Sequence, residues 1–259
     1  MAGKVCNVLI TGANRGLGLE MVKQLAEMPC PGRRIFACCR DPNAPKAQSL
    51  QELAKKHPGV IHVIRLDVAD LSSIQESAKQ VGSVLGKDGL NLLVNNAAMA
   101  PYDNTQTAKL KDLQDTFQTN VIGTMMVTKE FLPYLREAAK SSGKPGMSCC
   151  KAAVINISTI LSSITKAPEN ISLFPTLALT YRISKAGLNM LTVCQAQEFK
   201  ADGVLFTLLH PGWVRTDMGG ADGEIDARES VSGMLRVMDS LTEKHNGGFL
   251  DYKGQPLPW

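Results

Sequence analysis

The sequence predicts an α/β fold on a parallel sheet, and three observations carry that prediction. Short apolar runs of strand type alternate with helical stretches of ten or more residues, the pattern of successive βαβ units. The first run leads into a glycine-rich turn and directly on into a helix. No internal repeat and no linker divides the chain, and 259 residues suit one large domain, 1–259.

Val5 to Thr11 is the first strand-type run, and Gly12-Ala13-Asn14-Arg15-Gly16-Leu17-Gly18 opens a helix that runs to about Met28. Arg34 to Cys39 is the second strand, and the helical pattern from Ala44 to Lys56 ends at Pro58-Gly59. Ile61 to Leu66 forms the third strand, with Asp67-Val68 at its end, and Leu71 to Leu85 the next helix. The fourth strand, Leu90 to Val94, ends in Asn95-Asn96-Ala97-Ala98. Lys109 to about Ala138 reads as one long helical stretch with Asn120 on a largely apolar length. A buried amide without partners costs ~1–3 kcal/mol, so Asn120 must find some. Lys140 to Cys150 is rich in Ser, Gly and Pro and reads as a loop, and Lys151 to Ile157 is the fifth strand, followed by Ser158-Thr159. Leu161 to Thr180 contains Pro168 and Pro175 and reads as irregular. Tyr181 to Phe199 is an amphipathic helix, and Val204 to Leu209 is the sixth strand, running into His210-Pro211-Gly212-Trp213. Gly219 to Glu224 reads as a mobile loop, Ala227 to Leu241 as the last helix, and Gly247 to Tyr252 as a candidate seventh strand.

Composition narrows the function. Hydrophobic residues make up 44% and charged residues 20% of the chain, as in ordinary globular proteins. A net charge of +4 without a long basic run suits a small anionic ligand better than nucleic acid. No apolar run reaches the ~18 residues of a membrane span. The chain enters a strand almost at once, which fits no signal peptide, so a cytoplasmic location is expected. The seven cysteines are odd in number and form no C-x-x-C pair, which suits reduced thiols in an intracellular protein. His57 and His62 have no partner cluster, and no metal site is expected.

The chemistry-bearing residues lie at strand ends and on one helix. Tyr181 and Lys185 are four residues apart and share a helix face. A cation beside a phenol stabilises the phenolate and lowers its pKa, which makes a tuned proton donor. In the glycine turn, Gly12 permits the tight turn, Gly16 lets the backbone approach a pyrophosphate, and Gly18 lets helix and strand pack closely. The helix N-terminus offers bare N–H groups to phosphate. At the end of the second strand stands no acid to bond a ribose; Arg40 follows Cys39, and Arg15 lies in the glycine turn. Two arginines favour NADP(H) over NAD(H), through its 2′-phosphate. The alternative is that Arg40 is a solvated charge paired with Asp41.

Taken together, these motifs resemble the short-chain dehydrogenase/reductase family over essentially the whole chain. The matching residues are Gly12, Gly16 and Gly18; Asp67; Asn95-Asn96-Ala97; Asn120; Asn156-Ile157-Ser158; Tyr181 and Lys185; and Pro211-Gly212, in the family's order. The stretches His210 to Gly220 and Asn246 to Phe249 and the terminal Pro256-Leu257-Pro258-Trp259 are most similar to sniffer-type carbonyl reductases. The resemblance implies a single-domain, Rossmann-type doubly wound parallel sheet with helices on both faces. It implies an NADPH-dependent reduction of an aldehyde, ketone or quinone, with Tyr181 giving the proton and Lys185 lowering its pKa and bonding the nicotinamide ribose. Asn120 would hold a water that links Lys185 to solvent. It further implies cofactor contacts from Gly12, Asn14, Arg15, Gly16, Leu17, Gly18, Arg40, Asp67, Val68, Asn96, Ala97, Ala98, Tyr181, Lys185, Pro211, Gly212, Val214 and Thr216.

Where the family has a second serine that polarises the carbonyl, this chain has Thr159, with Ser158 as the other possible hydroxyl. Ala98 stands where the family has glycine, and the Thr159-to-Tyr181 interval is long. Thr216 to Glu224 is expected to close over the bound ligands. Two other readings fit the same motifs: an NADP-dependent alcohol or steroid dehydrogenase working oxidatively, and a dinucleotide-binding regulatory protein without catalysis. The apolar faces around Val121 to Leu135 and Leu188 to Cys194 allow a homodimer; they also serve to cover the sheet.

Overall fold

The computed structural model describes residues 6–141, 143, 145–173 and 178–259. Seven strands lie in one sheet: β1 (Asn7–Thr11), β2 (Arg34–Cys39), β3 (Ile61–Arg65), β4 (Leu92–Asn95), β5 (Ala153–Ile157), β6 (Leu205–His210) and β7 (Phe249–Asp251). All neighbours pair in parallel, in the order β3-β2-β1-β4-β5-β6-β7. The helices are α1 (Gly16–Glu27), α2 (Gln48–Lys56), α3 (Leu71–Leu85), α4 (Leu110–Phe117), α5 (Thr124–Ser141), α6 (Ala167–Leu173), α7 (Leu179–Glu198) and α8 (Ala227–Ser240).

The strands are continuous apolar runs because both faces of the sheet are covered. Every residue of β1 and β5 is buried. Successive strand side chains point to opposite faces. Val8 and Ile10 thus join Met21 and Leu25 of α1, Leu50 of α2 and Met234 of α8 in one core. Leu9 joins Ile74 and Val81 of α3 and Phe131 and Leu135 of α5 in the other. This is the doubly wound arrangement with helices on both faces.

From β1 the chain winds outward to β2 and β3, then returns to β4 on the other side of β1. The connections leaving β1 and β4 diverge there, which opens a crevice at their carboxyl ends, the usual ligand site in such sheets. The glycine turn and the Asn95-Asn96-Ala97-Ala98 stretch flank that crevice. Among the described residues, no helix is long and apolar enough to cross a membrane.

The structure corrects several expected elements. The long helical stretch from Lys109 is α4 and α5 joined by a π-helical turn, Gln118–Gly123, which carries Asn120. Glycine at 123 is dictated by packing, since a Cβ there would collide with the Val68 carbonyl. The stretch expected to be irregular contains α6, because Pro168 lies in its first turn, where proline favours a helix. Helix α7 begins two residues earlier than expected, at Leu179. Val5, Pro175 and residues 142 and 144 of the expected loop lie outside the described residues.

Gly18 sets how closely α1 approaches the sheet. A Cβ there would sit 2.7 Å from Asn96 Nδ2 and closer still to the Gly12 carbonyl. Overpacking of this kind costs ~1–3 kcal/mol, more than the ~1 kcal/mol that alanine gains in helix propensity. Gly18→Ala is therefore expected to lower Tm in thermal unfolding by several degrees, at ~2–4 °C per kcal/mol.

Candidate active site

The crevice begins at the glycine turn. Gly12 and Gly16 have φ of 64° and 53°, left-handed values that glycine adopts without strain. A Cβ on Gly12 would come within 2.9 Å of Ala97 Cα, so the turn lies hard against the end of β4. Arg15 occupies the N-cap of α1 without a side-chain cap bond, which leaves the first N–H groups of a 12-residue helix for an anion. These features fit a dinucleotide pyrophosphate. Leu17 turns from the crevice to pack on the core below α1.

The other expected contacts surround this turn. The Asn96 amide donates to Thr11 O at 2.9 Å and Gly12 O at 3.1 Å, so it braces the turn itself. Ala97 and Ala98 follow it, half-buried at the mouth of the crevice. Asn14 Nδ2 donates to Lys46 O at 3.3 Å. Asp67 is half-buried beyond β3, where its carboxylate accepts from Ala69 N at 3.0 Å. Asp70 caps α3, accepting from Ser72 N and Ser73 N. Val68 is buried beside it. Arg40 is exposed just past β2, and the carboxylate of Asp41 accepts from Asn43 N at 2.9 Å. Among the described residues Arg40 forms no ion pair. Arg15 is paired, through Nη1 to Asp217 Oδ2 at 2.8 Å.

Beyond β5 the structure brings Tyr181, Lys185 and Thr159 together. The Thr159 hydroxyl lies beside the Tyr181 phenol, close enough to lower its pKa, and accepts from Leu161 N at 3.2 Å. Ser158 is turned away: its Oγ donates to Asn189 Oδ1 at 2.7 Å in a buried network with Ser162. Lys185 Nζ donates to Ile157 O at 2.7 Å and lies 5.8 Å from the Tyr181 ring centroid.

The electrostatics differ from the sequence expectation. Burial pushes the Tyr181 phenol well above the usual tyrosine range, only partly offset by Thr159, while the nearby Tyr102 raises it further. Burial likewise pushes Lys185 down to about 7. The lysine therefore does not hold the phenol down here. Its ammonium faces a carbonyl and the ring, and low polarity disfavours the charged form of both groups. A raised phenol remains protonated throughout the neutral range, as a proton donor requires.

Asn120 joins two elements. Its Nδ2 donates to Met99 O at 2.8 Å and Ser184 Oγ at 2.9 Å, and its Oδ1 accepts from Met99 N at 2.8 Å. Both amide protons are thereby engaged within the protein. The residue splints the loop after β4 to α7.

That loop holds three residues that no sequence motif marks: Met99, Tyr102 and Asp103. Helix α7 follows Ala178, a left-handed residue (φ 47°), and has no side-chain cap of its own. Asp103 supplies one from 77 residues away: Oδ1 accepts from Thr180 N at 3.0 Å and Oδ2 binds Thr180 Oγ1. The Asp103 carbonyl also accepts from Leu179 N at 3.1 Å. Asp103 is buried. Tyr102 donates from its hydroxyl to Met218 O at 2.8 Å.

The segment after β6 is bonded to itself rather than loose. Buried Val214 pairs with Ile225 and Thr216 with Gly220, while Trp213 Nε1 donates to Gly219 O at 2.8 Å and Arg215 Nη1 to Gly223 O at 2.8 Å. A Cβ on Gly219 would strike the Val214 carbonyl, and one on Gly223 would sit 2.5 Å from Arg215 N, so these glycines permit packing, not mobility. Pro211 accepts from Ser230 Oγ at 2.6 Å, and a Cβ on Gly212 would come within 2.8 Å of Ile225. Thr216 Oγ1 accepts from Gly219 N at 3.1 Å, and its Cγ2 lies 3.7 Å from where a Gly16 Cβ would be. The strap thus already covers the glycine turn.

Comparisons with known proteins agree with this geometry. The family model of the short chain dehydrogenases matches residues 6–226. NADPH-bound carbonyl reductase from chicken fatty liver is 43% identical, with a TM-score of 0.93 and the match covering 99% of this chain and 100% of that one. Carbonyl reductase Sniffer of D. melanogaster is 36% identical at a TM-score of 0.92, over 99% of this chain and 100% of that one. C-signal of Myxococcus xanthus is 34% identical over 171 residues, 66% of this chain and 93% of that protein.

Two expectations follow from the site's forces. Removing the remote cap in Asp103→Ala leaves the Thr180 donors unpartnered and is expected to cost ~1–3 kcal/mol in urea unfolding. Amide exchange in the first turn of α7 should quicken, with Asp103→Asn falling between the two. Lys185 carries a second signature. An unfolded lysine titrates near 10.5 and this one near 7. Between those values the unfolded chain binds the extra proton, so this group makes stability rise with pH. At pH 7 and below, its burial costs on the order of 4 kcal/mol. Lys185→Met is therefore expected to raise Tm at pH 7, with the gain over the parent shrinking as pH approaches 10.

Proposed function

The chain belongs to the short-chain dehydrogenase family, and from that premise we propose that this oxidoreductase is an NADPH-dependent carbonyl reductase, acting on an aldehyde, ketone or quinone. The observation that carries the reading is the clustering of Tyr181 and Lys185 beside Thr159 at the end of β5, with Lys185 against the Tyr181 ring. Two hydroxyls that meet at one point can both donate to one carbonyl oxygen. The likeness to the NADPH-bound chicken carbonyl reductase, at 43% identity over almost the whole chain, supports the same cofactor and reaction.

NADPH, when bound, supplies the hydride that reduces the carbonyl carbon. The bare N–H groups of α1 and the glycine turn would hold its pyrophosphate. Asp67 and Val68 would serve the adenine, with Asn14, Asn96, Ala97 and Ala98 between. Pro211, Gly212, Val214 and Thr216 would serve the nicotinamide end. Arg40 would meet the 2′-phosphate, and Arg15 would join it by leaving Asp217. Thr159 polarises the carbonyl by donating to its oxygen, where negative charge grows. Tyr181 then gives its proton to that oxygen. An alkoxide is a far stronger base than a phenolate, so the transfer runs downhill even from a raised phenol. Lys185, in the share of molecules where it is charged, would steady the phenolate left behind, and it would bond the nicotinamide ribose. The exposed Met99, Tyr102 and Met218 near this cluster suit an apolar carbonyl compound.

A panel of aldehydes, ketones and quinones followed at the NADPH absorbance tests the reading. Tyr181→Phe should lose ~10²–10⁴ in kcat while NADPH still binds. Thr159→Ala should lose ~10²–10³, and Ser158→Ala far less. Near-normal turnover in Tyr181→Phe, or the reverse ranking of the two hydroxyls, would overturn it.

Arg40→Ala should raise the KM for NADPH much more than that for NADH, because only NADPH carries the 2′-phosphate that the guanidinium bonds. Equal changes for the two cofactors would remove Arg40 from the phosphate site.

A further inference from the structure

At the end of the sheet opposite the crevice, two thiols face each other. Cys6 precedes β1 and Cys30 lies in the turn after α1, with their sulfurs 3.7 Å apart in hydrogen-bond contact. The entry to β2 pins both: Arg34 N donates to Cys6 O at 2.8 Å and Arg33 N to Cys30 O at 3.1 Å. Each is partly open to solvent, whereas Cys38, Cys39 and Cys149 are buried. Cys6 also lines an open cleft of ≈ 520 Å³ with Arg34, Lys87, Asp88, Asn91 and Cys150, in which Arg34 is paired with Asp88 and Lys87 is the remaining cation.

We propose that Cys6 and Cys30 form a thiol–disulfide exchange site, which a small anionic disulfide entering the cleft converts into an internal disulfide. The order of events follows from access. The Cys6 thiolate attacks one sulfur of the small disulfide, forming a mixed disulfide and expelling one small thiolate. Cys30, after losing its proton to solvent, attacks Cys6 Sγ, and the second small thiolate departs. Two electrons pass from the protein to the small disulfide, and the two protons released by the cysteines go to the departing thiolates. The new bond joins residues 24 apart and encloses β1, the glycine turn and α1. It braces the first βα unit from the end remote from Tyr181.

Burial and the Cys30 thiol push the Cys6 thiol up, while Arg33 and Arg34 pull it back. The thiolate is then scarce near neutrality, and exchange should quicken as pH rises.

The experiment uses the full chain carrying Cys194→Ser, which removes the exposed thiol on α7. The protein is incubated with glutathione disulfide near neutral and at alkaline pH, then analysed by intact mass, peptide mapping and thiol titration in denaturant. The expected product has lost two hydrogens, retains no glutathione and yields one linked peptide pair containing Cys6 and Cys30. It should form faster at the higher pH, melt roughly 5–10 °C higher and revert with dithiothreitol. Adding Cys30→Ser should trap one glutathione on Cys6. Retained glutathione with both cysteines intact, a Cys6–Cys150 link, or an unchanged thiol count would overturn the proposal.

Discussion

The grip of Asp103 on the start of α7 is the constraint on which the candidate site depends. A helix that follows a left-handed residue without a cap of its own would fray at its first turn, and Tyr181 lies in that turn. The Asp103 carboxylate and carbonyl take the Leu179 and Thr180 donors and fix where the helix begins. The buried residues farther along α7 are then set against β5: Lys185 on Ile157 O, Asn189 on Ser158, Thr192 on Asn156. The loop that carries Asp103 also reaches the π-helical turn through Met99 and the strap after β6 through Tyr102. One short segment therefore aligns three separate parts of the crevice.

The same alignment creates electrostatic tension. Packing α7 tightly against β5 buries an amine and a phenol side by side, and each is driven toward its neutral form. A hydrophobic pair would pack there at less cost. The excess is the kind of stability loss found where function, rather than folding, selects the side chains.

Much of this was legible in the sequence. Strand positions followed from apolar runs that a sheet covered on both faces requires. The glycine turn was readable because Gly12, Gly16 and Gly18 each answer to a local demand of backbone or packing. Helical spacing put Tyr181 and Lys185 on one face, and only the company of the other ordered motifs gave that pair a meaning. What the sequence hid depends on distant partners or on burial. Asp103 sits in an unremarkable loop, and its partner lies 77 residues on. The direction of the phenol's shift turned on how deeply α7 packs, which spacing does not encode. The prolines of Leu161 to Thr180 suggest an irregular stretch where Pro168 in fact starts a helix, and the glycines after β6 suggest a mobile loop where Gly219 and Gly223 in fact make close packing contacts.

The strand order has a consequence for how the molecule comes into being on the ribosome. With β1 inside the sheet, the first three strands to emerge extend it in one direction only, and the other side of β1 stays bare until β4 arrives. Asp103 appears soon afterward, but the helix it caps and the strands beyond β4 come much later in synthesis. A growing chain thus lays down the glycine turn and its neighbouring strands long before α7 can be capped. Premature termination at that stage would leave an exposed parallel edge, the kind of surface that recruits other chains.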